Sequence, residues 1–196
     1  MAANPRSMRK IVVGMTGASG SLLAIRTLEA LREAPDVETH LVMSREARRT
    51  LELEVPGTQP EDVERLADVV YRVDDLAASI SSGSFLTSGM IVVPCSMKTA
   101  SAVANSYNDN LLARAADVTL KERRPLVLVV RETPLHLGHL RTLTQLAEIG
   151  AIILPPIVGF YTRPRSIDDV VNHTVGKALD QLGVEHRLFP RWTGNP

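Results

Sequence analysis

The chain has 196 residues, enough for one domain with a core of its own, and its 44% apolar and 22% charged residues are those of an ordinary soluble protein. Its 22 basic and 22 acidic residues cancel, so no overall basic field points to nucleic acid or an anionic membrane. A single cysteine, Cys95, cannot close an internal disulfide, and no apolar run approaches the roughly 20 residues that span a bilayer. Residues 1–8 are not followed by an apolar signal stretch, so a cytoplasmic protein is expected, with a disordered or extended segment 1–8 ahead of a single domain 9–196.

Apolar runs alternate with helical patterns along the chain. Lys10–Met15 (KIVVGM) reads as a buried strand, and Ser21–Glu33 as a helix with Leu22, Ile25, Leu28 and Leu31 at helical spacing. Glu38–Met43 is a second strand and Ser44–Glu54 a charged helix. Residues 55–68 hold a short helical piece, Val69–Val73 is a weak strand, and residues 74–88 form a loop rich in Ser and Gly. Strands follow at Gly89–Val93, where Pro94 is expected to end the run, at Leu126–Arg131 and at Ala151–Leu154. Helices at about 97–105, 111–123, 137–149 and 166–182 fill the gaps. This alternation predicts a mostly parallel sheet with helices on both faces, a three-layer Rossmann-like α/β fold that binds ligands beyond the carboxyl ends of its strands.

Those strand ends carry the chemistry. After the first strand, "GMTGASGS" spaces its glycines as G-x-x-G-x-x-G at Gly14, Gly17 and Gly20, which matches neither the dinucleotide nor the P-loop pattern. Glycines let backbone approach a ligand, and the helix that follows offers N–H groups to an anion. The plainer reading is a tight turn with a serine as N-cap. After the second strand stand Met43, Ser44 and Arg45, with no acidic residue for a ribose, which argues against NAD. Ser44 reads first as a helix cap. In "PCSMKT" Ser96, Lys98 and Thr99 gather hydroxyls and a cation at a helix start. Cys95 beside them reads as a buried thiol, not a nucleophile. Arg131 and Glu132 end an apolar strand, so their charges need compensation from each other or from a ligand.

On the helix "LLARAADVTLKERR", Arg114 and Lys121 are two turns apart on nearly one face, with Asp117 between them. They form either a solvated stripe or part of an anion site. Tyr161 and Arg163 lie on a Pro-rich loop and Lys177 on the last helix, a hydroxyl and two further cations for such a site. The five histidines show no H-E-x-x-H arrangement; His136 and His139 are three apart, but nothing completes a zinc set, and no metal is expected.

Taken together, "GMTGASG", "SISSGSF", "PCSMKT", "RAADVTLKERRPLVLVVRETPL" and "PPIVGFY" closely resemble, in this order and at these separations, the UbiX-like flavin prenyltransferases. The likeness runs from about Arg9 to Trp192. It implies a flavodoxin-like fold that binds reduced FMN as co-substrate, making 9–196 an FMN-binding flavoprotein domain. It implies transfer of the dimethylallyl group of dimethylallyl phosphate to flavin N5 and C6 without metal. The product, prenylated FMN, would serve a UbiD-like decarboxylase in ubiquinone biosynthesis or aromatic acid decarboxylation, and the chain would form a homo-dodecamer with sites between subunits. By this resemblance Gly17, Ala18, Ser19, Ser44, Ser96, Met97, Lys98, Thr99 and Arg131 hold FMN. Arg114, Lys121, Tyr161 and Lys177 hold the donor phosphate, and Ser19, Glu54 and Glu132 handle protons. Two positions depart from the pattern. Lys177 stands where arginine is usual, keeping the charge but not the bidentate fork, and Leu76 stands where some members place tryptophan. A non-catalytic FMN carrier is the alternative, disfavoured by the second anion site. A flavin-dependent decarboxylase of cysteine derivatives would need a His and Cys pair that these loops lack.

Overall fold

A computed structural model describes residues 8–194; of the expected N-terminal segment only Met8 falls within it. Its strands are β1 (Arg9–Met15), β2 (Val37–Met43), β3 (Val69–Tyr71), β4 (Gly89–Cys95), β5 (Leu126–Val130) and β6 (Ile152–Ile153). Its helices are α1 (Ser21–Arg32), α2 (Arg45–Glu54), α3 (Pro60–Glu64), α4 (Met97–Ala104), α5 (Leu111–Lys121), α6 (Leu137–Glu148) and α7 (Ile167–Gln181). The strands form one sheet in the order β3-β2-β1-β4-β5-β6, and every pairing in it is parallel. That is the doubly wound order of Rossmann-like sheets; without the three-residue edge strand β3, the remaining five follow the flavodoxin order. The expected three-layer fold is therefore present.

The central strands are continuous apolar runs because both their faces are covered, and β4 and β5 are buried throughout. Successive side chains alternate between two cores. Ile11, Val13, Ile91 and Val127 pack with Leu28 and Leu31 of α1 and Leu179 of α7 on one face. Val12, Met90, Val92 and Leu128 pack with Val103 of α4, Leu112 and Ala116 of α5 and Leu146 of α6 on the other.

One expectation is corrected. Pro94 does not end its strand: β4 continues to Cys95, with a shift of register between Val92 and Cys95. On the β1 side the ladder has already stopped at Gly14–Val92, so the N–H that proline lacks is not needed there. The Pro94 carbonyl is used instead, accepting from Thr16 N–H at 3.3 Å and Thr16 Oγ1 at 2.7 Å, while Thr16 Oγ1 accepts from Ser96 N–H at 2.9 Å. Thr16 thus ties the ends of β1 and β4 together at the point where the strand order reverses.

Candidate active site

Beyond these two strand ends lies a cavity of about 640 Å³, within the range of small-molecule sites. Thr16 and Gly17 line it from the β1–α1 turn, and Ser44 and Glu46 from the start of α2. Ser96, Lys98, Thr99 and Asn105 line it along α4, and Tyr107, Asp109 and Asn110 from the connection to α5. Of the nine residues that the resemblance assigns to flavin, Gly17, Ser44, Ser96, Lys98 and Thr99 face it, while Ala18, Ser19, Met97 and Arg131 do not line it.

Two serines at its rim are helix caps. Ser44 Oγ accepts from Ala47 N–H at 3.0 Å and Ser96 Oγ from Thr99 N–H at 3.3 Å. Capping fixes each hydroxyl and uses the Thr99 N–H in α4, leaving the other first-turn N–H groups of that helix as anion donors at the cavity. Arg131 follows β5, its N–H donating to the Cys95 carbonyl at 3.1 Å, which sets it beside the Cys95–Ser96 corner. Its Nε is buried without a hydrogen-bond partner among the described residues. A buried, unpaired guanidinium N–H calls for an acceptor, and a flavin carbonyl or phosphate oxygen would supply one. The residues therefore fit FMN: hydroxyls and N–H groups on α4, and an unsatisfied cation next to them.

The β1–α1 turn departs from expectation. Neither Ser19 nor Ser21 caps α1; Gly20 does, at φ 120°, a left-handed conformation that favours glycine. The N–H groups of Gly20 and Ser21 are not free for a ligand anion. They donate to the Glu54 carboxylate at 3.0 and 2.8 Å. Glu46, Thr50 and Glu54, four residues apart, lie on one face of α2 pressed along this turn, and Thr50 Oγ1 donates to the Gly17 carbonyl at 3.2 Å. Gly17 lacks a side chain because a Cβ there would overlap Glu46 Cβ. Burial pushes the Glu54 pKa up, but the Ser19 hydroxyl and the N–H groups of Ser21 and Gly20 outweigh it and hold it below the ordinary value. Glu46 is likewise lowered, chiefly by its own backbone N–H, against burial, with help from Ser44 and Lys98.

The four proposed phosphate ligands fall into two pairs. Arg114 Nε donates to the Ser81 carbonyl at 3.1 Å, and its Nη1 to Asp117 Oδ2 at 3.1 Å. Lys121 is paired with Glu122, and its Nζ lies 2.7 Å from where a Cβ on Gly83 would stand. Both cations of α5 therefore sit against the loop 79–84. Tyr161 bonds His173 of α7 (Oη to Nε2, 3.3 Å) and packs edge-on to Trp192, and Lys177 lies exposed on α7. Because α5 and α7 cover opposite faces of the sheet, one chain holds the two pairs on different layers. Glu132 is half-buried and accepts only from the adjacent Thr133 N–H, at 3.1 Å, among the described residues.

Cys95 is fully buried, and burial pushes its thiol up to about 12, as expected of a structural thiol. His136 caps α6, its Nδ1 accepting from Gly138 and His139 N–H. Among the described residues no three His, Cys, Asp or Glu side chains gather in a metal-binding group, and no helix is long and apolar enough to cross a membrane.

Residues 2–179 match the family model described as Flavoprotein. The flavin prenyltransferase UbiX of Escherichia coli K12 is 58% identical over 189 residues, 95% of this chain and 100% of the relative. This chain belongs to the UbiX flavin prenyltransferase family. Among solved structures, AnUbiX (PadA1) in complex with FMN and dimethylallyl pyrophosphate superposes with a TM-score of 0.93 at 49% identity, covering 96% of this chain and 100% of that one. A dodecameric FMN-dependent UbiX-like decarboxylase of E. coli O157:H7 does so with a TM-score of 0.92 at 52% identity, covering 94% and 100%. Thr16 lies in the turn that the sequence marks for ligand contact, whereas Glu46 and the segment Asn105–Asn110 carry no motif; the signal for the latter is its run of amide and acid side chains between two helices.

Proposed function

We propose that this flavin prenyltransferase joins the dimethylallyl group of dimethylallyl phosphate to N5 and C6 of reduced FMN, releasing phosphate and prenylated FMN for a UbiD-like decarboxylase. Residues 9–196 form its single FMN-binding domain, and the chain works in the cytoplasm as a homo-dodecamer. The observation that carries the reading is the Arg131 Nε, left without a partner among the described residues, beside the capped start of α4, in a chain collinear with UbiX relatives. Reduced FMN supplies the nucleophilic N5 and C6; the chain's own residues bind, orient and move protons. Gly17, Ala18, Ser19, Ser44, Ser96, Met97, Lys98, Thr99 and Arg131 hold the flavin.

Ionising an allylic phosphate leaves negative charge on the departing group, and Arg114, Lys121, Tyr161 and Lys177 are assigned to stabilise it with preorganised charge and hydrogen bonding. Their division between α5 and α7 supports a site completed by a second copy of the chain. The N5 proton leaves with the phosphate; closing the second bond takes one proton up and gives one back. Glu132 and the Ser19–Glu54 pair are assigned to that traffic, Glu54 entering it as a carboxylate. Anaerobic incubation with reduced FMN and dimethylallyl phosphate, followed by mass analysis of the released flavin, tests the reading. A gain of one prenyl unit is expected. Tightly bound but unmodified FMN, with the pyrophosphate donor also inert, would leave a flavin carrier instead.

A further inference from the structure

The loop on which the α5 cations rest is itself held by a chain of polar side chains from the sheet. His40 on β2 is only 2% exposed and lies between Tyr71, stacked at 5.8 Å, and Phe85, edge-on at 5.4 Å. Its Nε2 is 2.9 Å from Glu38 Oε1, off the ideal hydrogen-bond line. Its Nδ1 is 3.0 Å from Tyr71 Oη, which is 2.8 Å from Ser79 Oγ. The Glu38 carboxylate can only accept, so it favours the tautomer with the proton on Nε2. Nδ1 then accepts from Tyr71, and Tyr71 accepts from Ser79. Burial keeps His40 below the ordinary histidine value, against the pull of Glu38, so it stays neutral near pH 7 and the direction of the chain is set. Ser79 begins the tight turn Ser79–Ser81, which is pinned by Ile80 in the core and ends at the carbonyl that receives Arg114 Nε. Two residues on, Gly83 passes against Lys121, and Arg124 holds the far side through the carbonyls of Gly83 and Phe85.

We propose that His40 and Tyr71 are positioning residues for the donor phosphate: through Ser79 they set the 79–83 turn, whose Ser81 carbonyl and Gly83 backbone orient Arg114 and Lys121. The inference rests on the assignment of those two cations to dimethylallyl phosphate. None of the three relay side chains lines the switch-point cavity, so their effect on flavin is small and their effect on donor is direct.

The test uses Tyr71→Phe and Ser79→Ala, each of which deletes one hydroxyl with little change of volume, alongside Arg114→Ala. Each is assayed in the full-length enzyme for KM and kcat with dimethylallyl phosphate and for FMN affinity by flavin fluorescence. Tyr71→Phe and Ser79→Ala are expected to raise the donor KM about two- to tenfold, the worth of one net hydrogen bond. FMN affinity and kcat should stay within about twofold, and the double variant should be no worse than the weaker single, because both remove the same link. Donor KM unchanged in Tyr71→Phe but raised in Arg114→Ala overturns the relay and leaves the phosphate assignment standing. Donor KM unchanged in Arg114→Ala overturns that assignment and the inference with it. Equal losses of FMN and donor affinity in Tyr71→Phe would show a general loosening of the fold and also overturn the relay.

Discussion

At the scale of single residues, the two acidic groups assigned to proton handling differ in how tightly they are held. Glu54 is fixed by the two N–H groups at the start of α1, where a carboxylate also complements the helix dipole. Glu54→Gln keeps an acceptor but removes the charge. It is expected to lower stability by about 1 kcal/mol, the worth of a charge at a helix N-terminus, and to depress kcat more than FMN affinity; full turnover would remove Glu54 from the mechanism. The stability term has a pH signature. The folded pKa lies below the ordinary 4.5, so the contribution is complete above that value and is lost as pH falls through the folded pKa. Cys95 runs the other way. Its thiol, near 12 in the fold against 9.0 when exposed, keeps its contribution below pH 9.0 and loses it as the pH rises toward 12. Ellman's reagent is expected to find no reactive thiol in the native protein and one after denaturation; fast native reaction would contradict the burial.

At the scale of elements, the close fit of α2 to the β1–α1 turn has a measurable consequence. A methyl group on Gly17 would collide with Glu46 Cβ, an atom that cannot swing away, so α2 must shift and carry Thr50 and Glu54 with it. Gly17→Ala is expected to cost about 1–3 kcal/mol, as for other overpacked contacts, read by urea unfolding, and to weaken FMN binding; an unchanged midpoint would mean that the turn has room to spare. Most of this architecture was legible in the sequence, because strands buried on both faces read as plain apolar runs and helices as 3.6-residue periods. What escaped were contacts between elements distant in the chain. The Glu46–Thr50–Glu54 spacing is visible, but nothing local shows that its face meets the β1–α1 turn, and only the family resemblance gives Glu54 a role. Pro94 misled for a related reason: a proline ends a strand only where the neighbouring strand still needs its N–H, and β1 had already left the ladder. Ser44 is readable as a cap from position alone, since capping is a local matter, and Ser96, read as a hydroxyl at a helix start, caps in the same way.

At the scale of the whole molecule, the division of the residues assigned to the donor phosphate bears on how many chains would make one site. Arg114 and Lys121 stand on α5 over one core, whereas Tyr161 contacts α7, which carries Lys177 over the other. Arg114 and Lys121 rest against the loop 79–84, while Lys177 lies exposed on α7 and Tyr161 beside it, and no contact joins the two pairs among the described residues; one phosphate would be gripped by both pairs where α5 of one subunit meets α7 of the next. Such a head-to-tail contact is heterologous, the kind that closes into symmetric assemblies. Substitutions in the two pairs should then complement each other. Arg114→Ala and Lys177→Ala, each expected to leave little activity with dimethylallyl phosphate, would be co-expressed and the mixed oligomer purified. If each site draws one pair from each of two neighbouring chains, random mixing leaves about a quarter of the sites with neither substitution, and about a quarter of the wild-type rate should return. If each chain gathered all four ligands itself, every site would carry one lesion and the mixture would show no more than the average of its parents. A recovered rate whose donor KM matches the wild type would place the catalytic unit at the contact between subunits, and would explain why Tyr161, 63% exposed in the isolated chain, is left uncovered there.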